Sequence, residues 1–274
     1  MDLLREQFPA NDFALLGLII LLPLIGAVVN GIFGKRLGKE GVRLAALATV
    51  GGSFVLSLVA FFMVVTTPDP QQGPARLVWE AWEWFRVTGR ARQDVPIDIA
   101  FSLDALSASM LLVVTGVGWL IHLYSTGYMA KDSGYHRYFA YLNLFIFSML
   151  VLILGDNLAV LFIGWEGVGL CSYLLIGFWF EDQEKASAGK KAFITNRIGD
   201  FGLLVAMAIL IYHAGTLEWA KLDRGASGLA TTVTMWPPGG MSLQQTSLVN
   251  LPFGMQLVDA LTPDEPLRAS VVTL

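Results

Sequence analysis

The chain has 274 residues, 55% of them hydrophobic and only 15% charged, and its mean hydropathy is +0.60. Soluble domains are typically about a quarter charged, so an ordinary water-soluble domain is excluded. A net charge of -4 and an isoelectric point near 5.4 also exclude a basic nucleic-acid surface, which needs clustered Lys and Arg.

Taken in chain order, the sequence predicts an all-α polytopic membrane helix bundle with six complete spans. The N-terminus, MDLLREQFPANDF, is acidic and has no basic n-region, so it does not read as a removable signal peptide. The first two spans are 13–33 and 44–66, each long enough at about 1.5 Å per residue to cross a hydrocarbon core of roughly 30 Å. In the following outer loop, LVWEAWEWFRV and PIDIAF alternate in character around TGRAR, which predicts a small β-hairpin within 68–101. Trp79, Trp82 and Trp84 there suit a membrane–water boundary. Asp104 is placed to cap the third span, 105–130. The fourth span, 138–155, is joined through a tight turn at Asp156 and Asn157 to the fifth, 158–180, and the sixth is 192–213. Residues 214–268, rich in Gly, Ser, Thr and Pro, read as a second outer loop. ASVVTL at 269–274 reads as the start of a seventh helix, and the chain as an N-terminal fragment of a longer protein. The predicted divisions are therefore 1–67, 68–101, 102–213, 214–268 and 269–274.

Orientation follows from the basic residues. Lys35, Arg36, Lys39, Arg43, Lys131, Arg137, Lys185, Lys190 and Lys191 crowd into the short turns after spans one, three and five, whereas basic residues on the other side are spread over long loops. This places those turns in the cytoplasm and the N-terminus outside. Lys190 and Lys191 then serve as cytoplasmic anchors.

Two spans carry charge where lipid makes it costly. Glu166 lies in LFIGWEGVGLCSYLLIGFW, and Arg197 and Asp200 lie in FITNRIGDFGLLVAM. An ionised group at a helix centre costs roughly 2.5–3.5 kcal/mol on insertion scales, so each must be paired, hydrated or functional. Arg197 and Asp200, three residues apart, can form an intrahelical pair, with Asn196 beside them. Glu166 has no opposite charge on its own helix, so its partner must come from another helix or from water. Desolvation favours the neutral acid and a nearby cation favours the carboxylate, so a moving partner would load and unload a proton on Glu166. His122, near the cytoplasmic end of span three, and Tyr173, about two turns beyond Glu166, are weaker candidates for a hydrated path. Gly164, Gly167, Gly169 and Gly177 permit close helix approach on span five. Cys171, the only cysteine, excludes an intrachain disulfide and reads as a packing residue. The sequence offers no CxxC, phosphate-binding glycine loop or spaced His pair, so no cofactor or metal is expected in this chain.

The run YFAYLNLFIFSMLVLILGDN, LFIGWEGVGLCSYLLIGFWF and KKAFITNRIGDFG within 138–202, with FSLDALSASML and LYSTGYM before it, resembles the subunit L (chain 5) antiporter-like family of respiratory complex I, the NADH-quinone oxidoreductase. The resemblance implies that 102–213 are antiporter-like proton-channel helices and that Glu166 belongs to a membrane-embedded proton channel. It further implies that Arg197 and Asp200 are ionic residues of the polar axis, and that NADH, FMN, iron-sulfur clusters and quinone bind to partner subunits. The family pairs its glutamate with a lysine on the next, broken helix, and no such lysine occurs in this sequence. The alternative is a subunit of a multisubunit cation/proton antiporter, whose fold is similar. A passive scaffold would gain nothing from a carboxylate in lipid.

Overall fold

Gly38 divides the first apolar stretch. Its φ of 69° and ψ of 176° are cheap only for glycine, and they break a helical run that extends from Leu15 to Thr66. In this computed structural model, residues 12–66, 76–88, 94–222, 256–257 and 271–272 are described. Helix α1 (Leu15–Val28) continues through a π turn (Val29–Phe33) into α2 (Gly34–Thr66). Beyond Gly38 the chain folds back, since Ser53 Oγ donates to the Ile19 carbonyl at 2.8 Å.

Five helical stretches among the described residues are long and apolar enough to cross a membrane, and the 52-residue run Leu15–Thr66 is one of them. The sequence separated 13–33 from 44–66 because the turn between them is charged. That turn is nevertheless helical on both sides of Gly38, so hydropathy marks where the chain leaves apolar surroundings and not where a helix stops.

Strands β1 (Leu77–Thr88) and β2 (Asp94–Leu103) form the expected two-stranded sheet. Their short connection permits only an antiparallel pair. Trp82 and Trp84 are exposed. Trp79 stacks on Phe101 with ring centroids 5.7 Å apart and packs over Gly17 of α1. Helix α3 (Ala105–Tyr128) opens on a reciprocal cap: Asp104 Oδ1 accepts from Ser107 N at 2.7 Å, and Ser107 Oγ accepts from Asp104 N at 2.8 Å. Such a cap is worth about 1 kcal/mol.

Helix α4 (Tyr135–Leu154) and helix α5 (Leu158–Ile176) meet at the Asp156–Asn157 turn. This turn is tied to the sheet: Asp156 N donates to Ala100 O at 3.0 Å, Asn157 Nδ2 donates to Asp98 O at 2.8 Å, and Arg76 pairs with the Asp156 carboxylate. Asn157 also caps α5, its Oδ1 accepting from Val160 N at 2.9 Å. A Cβ at Gly164 would overlap the Leu152 backbone, so α4 and α5 touch along their main chains. Between helices in lipid, such close packing replaces the hydrophobic force that water would supply.

Helix α6 (Gln183–Ala214) starts earlier than the predicted 192. The charged stretch QEKASAGKK is helical, and Asp182 Oδ1 accepts from Glu184 N at 3.0 Å at its entrance. Val271–Val272, expected as helix, is strand β4 and pairs antiparallel with β3 (Gln256–Leu257). Adjacent β-branched valines favour a strand once a partner is present. Residues 223–255, most of the predicted second outer loop, lie outside the described residues.

The chain divides into two compact units, Met1–Glu83 with Asp98–Asp200, and Trp84–Ile97 with Phe201–Leu274. The first contains a continuous apolar core including Leu16, Ile19, Val50, Leu111, Leu150 and Leu154. The second buries Met207, Leu210 and Leu217 and contains the β3–β4 pair.

Candidate functional site

Within the first unit, α5 carries Glu166 and the first part of α6 carries Arg197 and Asp200. Arg197 Nη1 donates to Glu166 Oε2, forming an ion pair between the two helices. The same nitrogen lies 3.9 Å from Asp200 Oδ2, and the guanidinium sits 4.8 Å above the Phe193 ring. Asp200 Oδ1 in turn accepts a 2.7 Å hydrogen bond from the Trp165 indole. The result is one cation held between two carboxylates, with Trp165 fixing the second. Glu166 Oε1 is buried with no hydrogen-bond partner among the described residues. The Glu166 side chain is 23% exposed, that of Asp200 9% and that of Arg197 47%.

This resolves the partner that the sequence left open. The i,i+3 spacing pointed to an Arg197–Asp200 pair on one helix, whereas the structure turns Arg197 chiefly to Glu166 and leaves Asp200 as the longer contact. Trp165 was not anticipated; a tryptophan next to the membrane glutamate was its signal. Asn196 is exposed. Tyr173 packs its ring against Phe193, with centroids 5.6 Å apart, and no hydrogen bond joins it to Glu166 among the described residues. Cys171 is fully buried, and Lys190 and Lys191 are exposed.

His122, expected near a solvated helix end, is 0% exposed. The α3 face Leu111, Thr115, Gly118, His122 and Ser125 is buried throughout, and Gly118 lies against Ile146 of α4, which brings that helix over the imidazole. His122 Nε2 lies 2.7 Å from Asn143 Oδ1, and Asn143 Nδ2 donates to Thr49 Oγ1 at 3.0 Å. Among the described residues, no group of three or more His, Cys, Asp and Glu is placed to hold a metal ion.

Residues 90–139 match the family described as NADH-ubiquinone oxidoreductase (complex I), chain 5 N-terminus. Residues 155–253, which include Glu166, Arg197 and Asp200, match NADH:quinone oxidoreductase/Mrp antiporter, TM. The chain belongs to the antiporter-like membrane subunit family. NADH-quinone oxidoreductase subunit L of Pseudomonas aeruginosa is 38% identical over 267 residues, and that of Escherichia coli 39% over 264. Each alignment covers 94% of this chain and 41% of the relative, so this antiporter-like chain spans about two fifths of the length of those relatives. Among solved structures, the Mrp complex from Dietzia sp. DQ12-45-1b is similar at a TM-score of 0.60 and 26% identity, over 75% of this chain and 20% of that one. The membrane-bound sulfane sulfur reductase, an archaeal respiratory membrane complex, is similar in fold at a TM-score of 0.61 and 16% identity, over 79% of this chain and 31% of that one.

Proposed function

We propose that the chain belongs to a proton-translocating membrane subunit of a bacterial NADH-quinone oxidoreductase, acting in the cytoplasmic (inner) membrane with its N-terminus outside. Counting the two limbs joined at Gly38 as separate crossings gives six spans. The chain takes part in the enzyme as a subunit and holds no redox centre itself; NADH, FMN, iron-sulfur clusters and quinone bind to partner subunits, and other membrane subunits and lipid surround it.

The observation that carries this reading is the Glu166–Arg197 pair between two membrane-length helices, with Asp200 as a second carboxylate for the same guanidinium. Arg197 engaged with Glu166 favours the carboxylate. Displaced toward Asp200, it leaves Glu166 in a poorly solvated place where the neutral acid is favoured, and a proton is taken up. Oε1 of Glu166 is the free oxygen to which that proton can add. Redox events in the partners would bias the position of Arg197, and each return of the cation would expel the proton.

The likeness to the Mrp complex supports a second reading, a subunit of a multisubunit cation/proton antiporter. The two separate by experiment. Glu166→Gln in the full-length subunit is expected to assemble normally and to lose redox-driven proton pumping. Unchanged pumping at normal expression would overturn the first reading, and dissipation of a sodium gradient that depends on the subunit with protons clamped would favour the second.

A further inference from the structure

Four polar side chains are gathered between α1, α2, α3 and α4, none of them part of the Glu166–Arg197 pair. Asn30, His122 and Asn143 are each 0% exposed, and Thr49 is hydrogen-bonded to Asn143. His122 Nδ1 faces the Gly118 carbonyl at 2.8 Å, and Nε2 faces Asn143 Oδ1 at 2.7 Å. Both partners are acceptors, so this arrangement is satisfied by a ring with two N–H groups. The donors then run one way: His122 to Asn143, Asn143 Nδ2 to Thr49 Oγ1 at 3.0 Å, and the Thr49 hydroxyl to the Ala45 carbonyl at 2.8 Å. A ring with one N–H requires the Asn143 amide turned over, its NH2 donating to Nε2 and its oxygen accepting from Thr49. The orientation of Asn143 thus follows the proton count of His122.

Asn30 lies in the π turn, a distortion often found at functional sites, and both atoms of its amide are buried without a hydrogen-bond partner among the described residues. Its place is fixed by the glycines on its face. Gly26, one turn before, lies against the Asn143 amide and the Thr49 hydroxyl, and Gly34, one turn after, lies against His136 and Val42. Asn30 therefore stands about one helical turn from Asn143 and Thr49. Buried amides are almost always hydrogen-bonded, and where the protein supplies no partner an internal water does.

We propose that this cluster binds ordered water at Asn30 and is a buried proton-exchange site with His122 as the proton-accepting base. A proton leaves a hydronium ion and binds Nε2 of the neutral ring; one O–H bond breaks, one N–H bond forms, water remains, and Asn143 turns its oxygen to the new N–H. Helix α4 separates this site from the pair on α5, presenting Asn143 toward α2 and α3 and Ser148 toward Gly167. Helix α1 carries no ionisable group; α2 carries Lys35, Arg36, Lys39, Glu40 and Arg43, the last nearly two turns before Thr49. Besides His122, α3 carries Tyr124 and Tyr128, and α4 carries Tyr135, His136, Arg137, Tyr138 and Tyr141, of which Tyr138 lies 3.2 Å from Ser125 of α3. Among the described residues no Asp, Glu, Lys or Arg is bonded to the four.

The test uses the full chain in lipid nanodiscs with 15N-imidazole histidine and deuterated water, with His122→Gln identifying the signal. The His122 ring is expected to exchange its N–H and to pass between one and two N–H groups within about pH 5–8. Asn30→Leu should slow that exchange by at least about tenfold, while Asn30→Ser, which keeps a partner for water, should largely retain it. Unchanged exchange in Asn30→Leu, or a ring whose proton count is constant over that range, would overturn the proposal and leave a structural hydrogen-bond lock. Should Asn30→Leu not fold, a high-resolution map of the unaltered chain with no water at the Asn30 amide would overturn it equally. The readout needs no redox partner and no Glu166, so its failure is distinguishable from failure of the pumping assignment.

Discussion

Arg197 of α6 reaches Glu166 of α5 while remaining 3.9 Å from Asp200 one turn along its own helix. One guanidinium thus has two carboxylate partners of different geometry. Removing Arg197 alone leaves Glu166 poorly solvated and uncompensated, whereas removing both charges leaves no orphan. A double-mutant cycle with Glu166→Gln and Arg197→Gln, read by unfolding of the purified chain in detergent, is expected to give a coupling of about 0.5–3 kcal/mol, and Arg197→Gln alone should be less stable than the double variant.

The close approach of α4 and α5 rests on Gly164. Because a Cβ there meets the Leu152 backbone and not a flexible side-chain end, relief requires a helix shift. Gly164→Ala should lower stability by about 1–3 kcal/mol, measured by the same unfolding assay, and should disturb the Glu166 site on the same helix. Gly169→Ala, whose Cβ meets nothing within 4 Å, should be close to neutral.

Asn157 acts at both ends of its side chain, capping α5 through Val160 N and bonding Asp98 O on β2. Asn157→Ala should cost about 0.5–2 kcal/mol for the cap, and Asn157→Asp should keep the cap while losing the donor to Asp98. Amide hydrogen exchange at Val160 separates the two effects.

In the turn between α3 and α4, Asp132 Oδ2 accepts a 2.9 Å hydrogen bond from the indole of Trp179, which lies in the connection between α5 and α6. That bond, aided by Gly134 N–H, Arg137 and Lys39, holds the Asp132 carboxyl below its ordinary 3.8. With the folded value below the unfolded one, the stabilisation is present above the unfolded value and is lost as pH falls through the folded value. The emission difference between the unaltered chain and Trp179→Phe should therefore be constant near neutral pH and change only in acid, below about pH 4. A change centred above that would contradict the assignment.

The spans were legible because uninterrupted apolar runs are a property of the local sequence, and Asp104 was legible as a cap from its place before such a run. The hairpin showed in the alternation of LVWEAWEWFRV. Glu166, Arg197 and Asp200 stood out because charge is rare in lipid, yet their pairing did not, since the periodicity of one helix says nothing of which neighbour faces it. For the same reason His122 read as a solvated end residue when α4 in fact covers it, and the stacking of Trp79 on Phe101 did not show. Asn30 and Asn143 were not singled out from the sequence, because an amide within an apolar run carries no charge to mark it. The π turn that positions Asn30 has no mark in the residues themselves.

In the proposed mechanism Glu166 changes its protonation with the position of Arg197. Infrared difference spectra of the full chain in nanodiscs at neutral pH measure this directly. A protonated carboxylic acid band should be absent in the unaltered chain, appear in Arg197→Ala, and vanish again in the Glu166→Gln, Arg197→Ala double variant. If Arg197→Ala produces no such band, or if the band survives removal of Glu166, the proposed switch is contradicted.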